Sequence, residues 1–165
     1  MCGITGFIST QVSNPKEVMH SMIGTLLHRG PDNTSIWNDL NGVNMAHSRL
    51  SILDLSESGN QPILSKSGRY VMVFNGEIYN YQELKRKIDS LTNIQWSGSS
   101  DSEVLVELID HFGIKEALIK TKGMFAISVW DVKEKKLTLC RDRLGEKPLY
   151  YGWQNNSFVF GSELK

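Results

Sequence analysis

Cysteine is scarce in this sequence: its 165 residues include only Cys2 and Cys140. Two isolated cysteines exclude a disulfide framework and a cluster of zinc-binding thiolates. The four histidines do not fall at metal-ligand spacing with other ligands, so the sequence predicts no metal site. A reducing compartment, and therefore a cytoplasmic location, is the simplest interpretation.

Net charge and long apolar runs are also absent. The 18 lysines and arginines balance 18 aspartates and glutamates, which argues against a nucleic-acid-binding or membrane-attracted surface. No apolar run approaches the length of a membrane span, and the N-terminus lacks the features of a secretion signal. The composition, 40% hydrophobic and 22% charged, is that of a globular domain that can bury a core without disulfides or metals.

Short apolar strands with two or three inserted helices dominate the pattern. Strands are predicted near residues 2–8, 43–48, 70–74, 93–96, 124–130, 137–141 and 158–160. Helices are predicted from Pro15 after a cap at Asn14, from Asn80, and from Ser100, whose spacing to Glu103 fits a capping box. Because strands and helices do not alternate strictly, the sequence predicts an α+β domain with mixed or antiparallel sheets and helices outside.

Cys2 is the first candidate for chemistry because of its position. A methionine before so small a residue is often removed, and the thiol would then lie beside the free α-amine of the same residue. The ordinary pKa values of these groups, about 8.5 and about 8, are close enough for the amine to act as the base. The alternative is that Cys2 is a small buried apolar residue.

Asn75-Gly76-Glu77 is the second candidate, between a strand predicted to end at Phe74 and the helix from Asn80. The side-chain amide of Asn75 and the backbone N–H of Gly76 are donors of the kind that stabilise an oxyanion. A turn without a chemical role is the alternative.

Arg49 follows an apolar strand and has the geometry to bind a carboxylate with two hydrogen bonds. The alternative for any single arginine is a surface ion pair.

The segment Ser97–Ser102 has two interpretations. It resembles the pyrophosphate-binding loop of ATP pyrophosphatases, which would make the chain a nucleotide-binding module. However, Ser99 replaces a glycine of that loop, and the strand-rich sequence after Gly123 lacks the βα units that such a fold needs. A plain helix cap explains Ser100 and leaves Asp101 to meet an ammonium group.

Taken in order, these segments resemble the class II glutamine amidotransferase domain. The matching motifs are Cys2-Gly-Ile-Thr-Gly, His28-Arg-Gly-Pro-Asp32, Arg49-Leu-Ser-Ile52, Asn75-Gly-Glu-Ile-Tyr-Asn80, Ser100-Asp101, Gly123-Met-Phe-Ala126 and Arg141-Asp-Arg-Leu-Gly-Glu-Lys-Pro-Leu-Tyr150. The branch they look most like is the N-terminal domain of glutamine-dependent asparagine synthetase. The resemblance implies an N-terminal-nucleophile hydrolase over residues 1–165: an αββα sandwich with two antiparallel sheets between helical layers.

The resemblance also implies the catalytic roles. Cys2, freed of Met1, attacks the side-chain amide of glutamine, and its own α-amine carries the proton to the departing ammonia. Asn75 and the backbone N–H of Gly76 hold the oxyanion.

For substrate binding, the resemblance implies that Arg49 binds the α-carboxylate of glutamine, while Glu77 and Asp101 bind its α-ammonium. Further residues expected to line the pocket are Leu50, Ile52 and Leu53. Residues expected to shape loops or to face a partner are His28, Arg141 and Lys147.

The partner implied by the resemblance is a synthetase domain of the same polypeptide, outside residues 1–165, which accepts ammonia. Mg-ATP is expected for that domain and no cofactor for this one. Aspartate is the default acceptor, with sugar acids or antibiotic precursors as other acceptors. A non-catalytic glutamine-binding domain is a further alternative, against which the retention of Cys2, Arg49, Asn75 and Asp101 argues. The sequence carries no signal for oligomeric state.

Overall fold

Nine strands and four helices make up the computed structural model, which describes residues 1–52 and 54–165. The strands are β1 (Gly3–Ile8), β2 (Asn33–Asn38), β3 (Val43–Arg49), β4 (Ile63–Leu64), β5 (Tyr70–Ile78), β6 (Gly123–Asp131), β7 (Lys136–Arg141), β8 (Tyr150–Gln154) and β9 (Ser157–Gly161). The helices are α1 (Pro15–Gly24), α2 (Tyr81–Asp89), α3 (Asp101–Phe112) and α4 (Ile114–Lys120), and a 3-10 turn spans Glu57–Gly59.

The strands form two antiparallel sheets that face each other. One has the order β2-β3-β1-β9-β8 and the other the order β4-β5-β6-β7. Apolar side chains from both inner faces, such as Met45 and Val73, pack into a shared core. Helix α1 covers the outer face of the first sheet, and α2, α3 and α4 cover that of the second. This is the predicted αββα sandwich, so the fold-class prediction is confirmed.

Strand alternation decides which side chains reach the space between the sheets. On β3, Met45 faces the second sheet, whereas Ala46 packs against α1, so Arg49 shares the inner face with Met45. On β5, the inward position of Val73 likewise turns Asn75 inward. Polar side chains from two different sheets therefore meet at one end of the core.

Several predicted element boundaries are wrong. Residues 93–96 form no strand; Ile94 and Trp96 pack against the core beneath α2 and α3, and this packing explains their apolar pattern. The strand expected to end at Phe74 continues to Ile78, because Asn75 and its neighbours pair in register with β6. The short elements β2, β4, β8 and α4 were not predicted.

Two predicted helix caps differ in their contacts. Asn14 precedes α1 but makes no side-chain capping bond. Asn80 precedes α2, and its side chain instead bonds the Lys120 carbonyl and the Lys122 N–H at the end of α4. Within residues 1–52 and 54–165, no helix is both long enough and apolar enough to cross a membrane.

Candidate active site

A cavity of about 140 Å³ opens where β3, β5 and the start of α3 converge. At about 30 Å³ per water molecule, this is space for roughly five waters, the scale of a small organic molecule. Eight predicted site residues line it: Cys2, Arg49, Leu50, Ile52, Asn75, Gly76, Glu77 and Asp101. The remaining predicted residue, Leu53, lies outside the described residues. The sequence motifs therefore converge on a single cavity.

The Cys2 thiol lies against the backbone of Leu50. Leu50 N–H donates to Sγ over 3.4 Å, and the Leu50 carbonyl oxygen lies 3.6 Å from Sγ as an acceptor. Burial raises the pKa of this thiol above its ordinary value, and hydrogen bonding to Leu50 acts in the opposite direction. The thiol is therefore protonated at neutral pH, and nucleophilic attack needs a base.

His47 is the histidine that lines this cavity, but it is not suited to be that base. Burial lowers the pKa of its imidazole to about 3. A base whose pKa is so low takes a proton poorly near pH 7, which disfavours a cysteine–histidine pair here.

The backbone N–H of Gly76 points into the cavity. It leaves β5 on the side opposite β6, at a position beyond the end of the short strand β4. Alternate residues of a strand direct their backbone groups to the same side. Phe74 N–H donates to Gln61 Oε1 over 2.6 Å, and Ile78 N–H donates to Asp101 Oδ2 over 2.8 Å. The N–H of Gly76, midway between them, consequently faces the same edge, away from β6.

Asn75 supplies a second donor beside Gly76. Its Nδ2 atom is buried, and no described residue accepts a hydrogen bond from it. A buried amide without a partner is destabilising unless something else completes its hydrogen bonds. Position 76 also requires glycine, because a Cβ there would clash with the carbonyl oxygen of Met124 on β6. The two donors can thus serve a ligand in the cavity.

Arg49 is buried and carries its charge at the cavity wall, so the alternative of a surface ion pair is wrong. Its Nη1 donates to the Ser56 carbonyl over 2.8 Å and to Asn60 Oδ1 over 2.7 Å, and its Nη2 donates to the Asp54 carbonyl. These bonds occupy three of the five guanidinium N–H groups. No ion pair to Arg49 occurs within residues 1–52 and 54–165, so its charge can be neutralised by a bound anion.

Asp101 is the first residue of α3, and Ser100 caps the helix by accepting the Glu103 N–H over 3.2 Å. Asp101 is only 6% exposed, and burial raises the pKa of its carboxyl group to about 6. The charge of Glu77, which lines the same cavity, acts in the same direction. Two carboxyl groups held together favour a cation between them.

The segment before α3 has its amides already bonded to carboxylates of this chain. Ser97 and Gly98 donate their N–H groups to Glu103 over 2.8 and 2.9 Å, and Ser99 donates to Asp54 Oδ2 over 2.9 Å. Glu103 therefore does not close the reciprocal capping box expected with Ser100. These amides are not free for a phosphate group, which counts against the nucleotide-binding alternative.

Comparison with known proteins adds independent information. The family model described as glutamine amidotransferase domain matches residues 1–165. The chain belongs to this family. The amidotransferase domain is 37% identical over 169 residues to asparagine synthetase [glutamine-hydrolyzing] 3 of Bacillus subtilis, covering all of this chain and 27% of that protein. It is 38% identical over 182 residues to putative asparagine synthetase [glutamine-hydrolyzing] 2 of Methanocaldococcus jannaschii, covering all of this chain and 34% of that protein.

The amidotransferase domain thus spans about a quarter to a third of the length of these relatives. Among solved structures, glutamine phosphoribosylpyrophosphate amidotransferase from B. subtilis, complexed with ADP and GMP, matches with a TM-score of 0.81. The match covers 98% of this chain and 42% of that chain at 21% identity, and it shows a shared fold.

The domain also contains a contact to Cys2 that the sequence does not predict. Arg29 Nε donates to the carbonyl oxygen of Cys2 over 3.0 Å, and Arg29 Nη1 donates to Glu163 Oε1 over 2.9 Å. For this segment the sequence predicts only that His28 shapes a loop or faces a partner. Arg29 and Glu163 are 134 residues apart in the chain, so no local signal marks their contact.

Lys147 also differs from expectation, since it lines the cavity and is buried. The backbone N–H of Lys147 donates to Asp142 Oδ2 over 3.1 Å, and Lys147 Nζ lies 3.3 Å from Met1 Sδ. Arg141 donates to the Gly145 carbonyl within the turn after β7, and His28 pairs with Glu163 over 3.0 Å.

Proposed function

We propose that this domain hydrolyses the side-chain amide of glutamine to glutamate and ammonia through a thioester on Cys2. The observation that carries the proposal is that Asn75 and Gly76 line the same cavity as Cys2, with Asn75 Nδ2 lacking a partner among the described residues and the Gly76 N–H pointing away from β6. Buried donors without a partner fit a negative charge that exists only during the reaction.

The reaction begins with a Cys2 residue freed of Met1. The α-amine takes the thiol proton as Sγ attacks the amide carbon, and the carbonyl oxygen becomes an oxyanion held by Asn75 and Gly76. Collapse of this intermediate breaks the carbon–nitrogen bond, and the α-ammonium returns its proton to the departing ammonia. Water then attacks the thioester with the same donors in place, which releases glutamate and restores the thiol.

Both charged groups of the glutamine head are complemented in the cavity. Arg49 carries a guanidinium charge with no ion-pair partner in the described part of the chain, which suits the α-carboxylate, and Asp101 with Glu77 suits the α-ammonium. Holding both ends directs the side-chain amide to Cys2, and such orientation supplies much of the rate gain in reactions of this kind.

Ammonia from this site has to be consumed by an amidation. The relatives named above are asparagine synthetases, and this chain spans only part of their length. We therefore propose that residues 1–165 act with a synthetase domain of the same polypeptide, which uses Mg-ATP to activate a carboxylate, with aspartate as the default acceptor. The proposed hydrolysis of glutamine needs no cofactor within the domain itself. A cytoplasmic location belongs to the same proposal and is supported by the two free thiols.

The test is release of glutamate from glutamine by purified protein, with intact mass recorded on the same sample. We expect turnover from protein that lacks Met1 and none from the Cys2→Ala variant. Cys140→Ala is the matched control, because Cys140 is the other free cysteine and lies outside the cavity lining. Undiminished turnover by Cys2→Ala, or by protein that retains Met1, would refute the mechanism. Glutamine binding without turnover by protein with a free Cys2 would favour the binding-domain alternative.

A further inference from the structure

Two loops adjoin the residues that are proposed to bind the substrate head group. One comprises residues 54–60, which follow β3, and is called the 54–60 loop. The other comprises residues 97–99, which precede α3, and is called the 97–99 loop. Arg49 bonds the first loop through the Asp54 carbonyl, the Ser56 carbonyl and the Asn60 side chain. The second loop leads directly into Ser100 and Asp101.

The carboxylate of Asp54 joins the two loops. Oδ1 accepts the N–H of Ser56 over 2.8 Å and its hydroxyl over 2.6 Å, which closes a turn within the 54–60 loop. Oδ2 accepts the N–H of Ser99 over 2.9 Å and its hydroxyl over 3.3 Å, which reaches across to the 97–99 loop. These hydrogen bonds hold the pKa of Asp54 at about 2, so the carboxylate stays charged throughout the range in which Asp101 titrates.

Close packing reinforces this connection. A Cβ on Gly98 would lie 2.7 Å from Asp54 Oδ2 and would also clash with the Ser58 hydroxyl. A Cβ on Gly59 would clash with the guanidinium of Arg49. The two loops therefore have a closely defined separation at Gly98, and Gly59 likewise lets the 54–60 loop lie close to Arg49.

Asp54 touches both halves of the proposed head-group site. Its carbonyl accepts from Arg49, and its carboxylate accepts from Ser99, two residues before Asp101. The carboxylate and ammonium of an amino acid are attached to one carbon atom, so the groups that bind them must sit at a fixed spacing. We propose that Asp54 is a positioning residue that sets the spacing between Arg49 and Asp101 and thereby the affinity for glutamine. This inference rests on the proposed function.

The first test is Asp54→Asn, which keeps the shape but replaces one acceptor oxygen with an NH₂ donor. Both oxygens of Asp54 accept N–H donors. The side-chain NH₂ of asparagine is itself a donor, so it would face one of these N–H groups and that hydrogen bond would be lost. We expect KM for glutamine to rise about tenfold, the scale of one lost charge-assisted hydrogen bond, with kcat changed less than about twofold.

A substrate that lacks the ammonium group separates positioning from general damage. The analogue 4-carbamoylbutanoate carries the amide and the carboxylate of glutamine but no group for Asp101. Because it does not depend on the spacing between Arg49 and Asp101, its KM should change little in Asp54→Asn. An equal rise in KM for both substrates would overturn the inference, and so would an unchanged KM for glutamine.

Asp39→Asn is the matched control. Asp39 also accepts backbone N–H groups in a loop, from Asn41 over 2.9 Å and Val43 over 3.0 Å, but lies outside the cavity lining. It should leave KM for glutamine unchanged. Gly98→Ala is a second variant that leaves residue 54 as aspartate but pushes its carboxylate and the 97–99 loop apart, and it should raise KM for glutamine in the same selective way even if Asp54→Asn fails to fold. A folded Gly98→Ala protein with unchanged KM would overturn the inference.

Binding measurements keep the two proposals distinguishable. Glutamine affinity is measured by calorimetry with Cys2→Ala, alone and combined with Asp54→Asn. A roughly tenfold weaker affinity of the double variant supports the positioning role even if the parent protein shows no turnover, which would refute only the hydrolase proposal. Equal affinities would overturn the positioning role and leave the hydrolase proposal standing.

Discussion

Replacing Asp101 with asparagine is expected to make the folded domain more stable while it abolishes tight glutamine binding. Asp101 is 6% exposed, and burial raises its pKa to about 6 from an ordinary value of about 3.9. The difference of about two pKa units corresponds to roughly 3 kcal/mol that the buried charge costs the fold at neutral pH. Asparagine keeps an oxygen that can accept the Ile78 N–H, so we expect a gain of about 2 kcal/mol, or roughly 5 °C in Tm for a domain of this size.

The direction of the pH dependence follows from the raised pKa. Above about pH 6, folded and unfolded wild-type chains both carry the charge, so the full gain of Asp101→Asn is present. As the pH falls from about 6 to about 4, only the folded wild type takes up the proton, so it gains stability and the advantage of the variant shrinks. Thermal unfolding at pH 8 and pH 4 should therefore give a large and a small difference in Tm.

Asp142→Asn is the matched control for that measurement. Asp142 is also buried, but its carboxylate accepts backbone N–H groups from Phe125, Leu144, Glu146 and Lys147, and its pKa is lowered. Its replacement should therefore destabilise the fold at pH 8. If the Asp101→Asn protein is no more stable than wild type at pH 8, the interpretation that the buried charge of Asp101 destabilises the fold is refuted.

Glutamine affinity should rise with pH over the range in which the stability of the wild-type fold falls. The substrate ammonium needs the charged form of Asp101, so the affinity of Cys2→Ala protein for glutamine should fall about tenfold per pH unit below about pH 6. Calorimetry between pH 5 and pH 8 measures this dependence. The combination of Cys2→Ala with Asp101→Asn should bind weakly at every pH. An affinity that stays constant from pH 7 to pH 5 would contradict the proposed role of Asp101.

Three further substitutions have defined outcomes. Asn75→Ala should lower kcat about 10²–10³-fold. Tm should change little, because Asn75 Nδ2 has no partner among the described residues. A kcat within tenfold of wild type would exclude Asn75 as an oxyanion donor. Gly76→Ala should unfold the domain at lower temperature by several degrees, as judged by circular dichroism, because the new methyl group meets β6. Arg29→Lys should reduce kcat roughly tenfold at constant KM, since an ammonium cannot reproduce the forked bonds to Cys2 and Glu163; steady-state kinetics would disprove this if only KM changed.

The sequence predicts the site better than it predicts the edges of the fold. Buried strands such as β3 and β6 have continuous apolar patterns and were found, whereas β2 and β8 lie at the edges of their sheet and expose many of their residues. The Asn-Gly pair predicts a turn, but pairing of β5 with β6 carries the strand through it. Tertiary hydrogen bonding thus overrides a local turn preference.

Contacts between distant segments account for what the sequence does not reveal. The bond from Arg29 to Cys2 spans 27 residues, and the bond from Ser99 to Asp54 spans 45. Arg29, Asp54 and Ser99 lie in polar segments between helices and strands, and each segment has an adequate local explanation as a connection. Only the tertiary packing of the chain brings these segments into contact, so no periodicity or spacing in the sequence could predict the bonds between them.

Covalent capture of Cys2 tests the central claim most directly. A glutamine analogue with a diazoketone in place of the side-chain amide alkylates a nucleophile held at the position of the amide carbon. The proposed mechanism predicts a single adduct located on Cys2 by peptide mapping, blocked by excess glutamine and formed more slowly in Asn75→Ala. An adduct on Cys140, or no adduct on Cys2 in folded protein that has lost Met1, would contradict it.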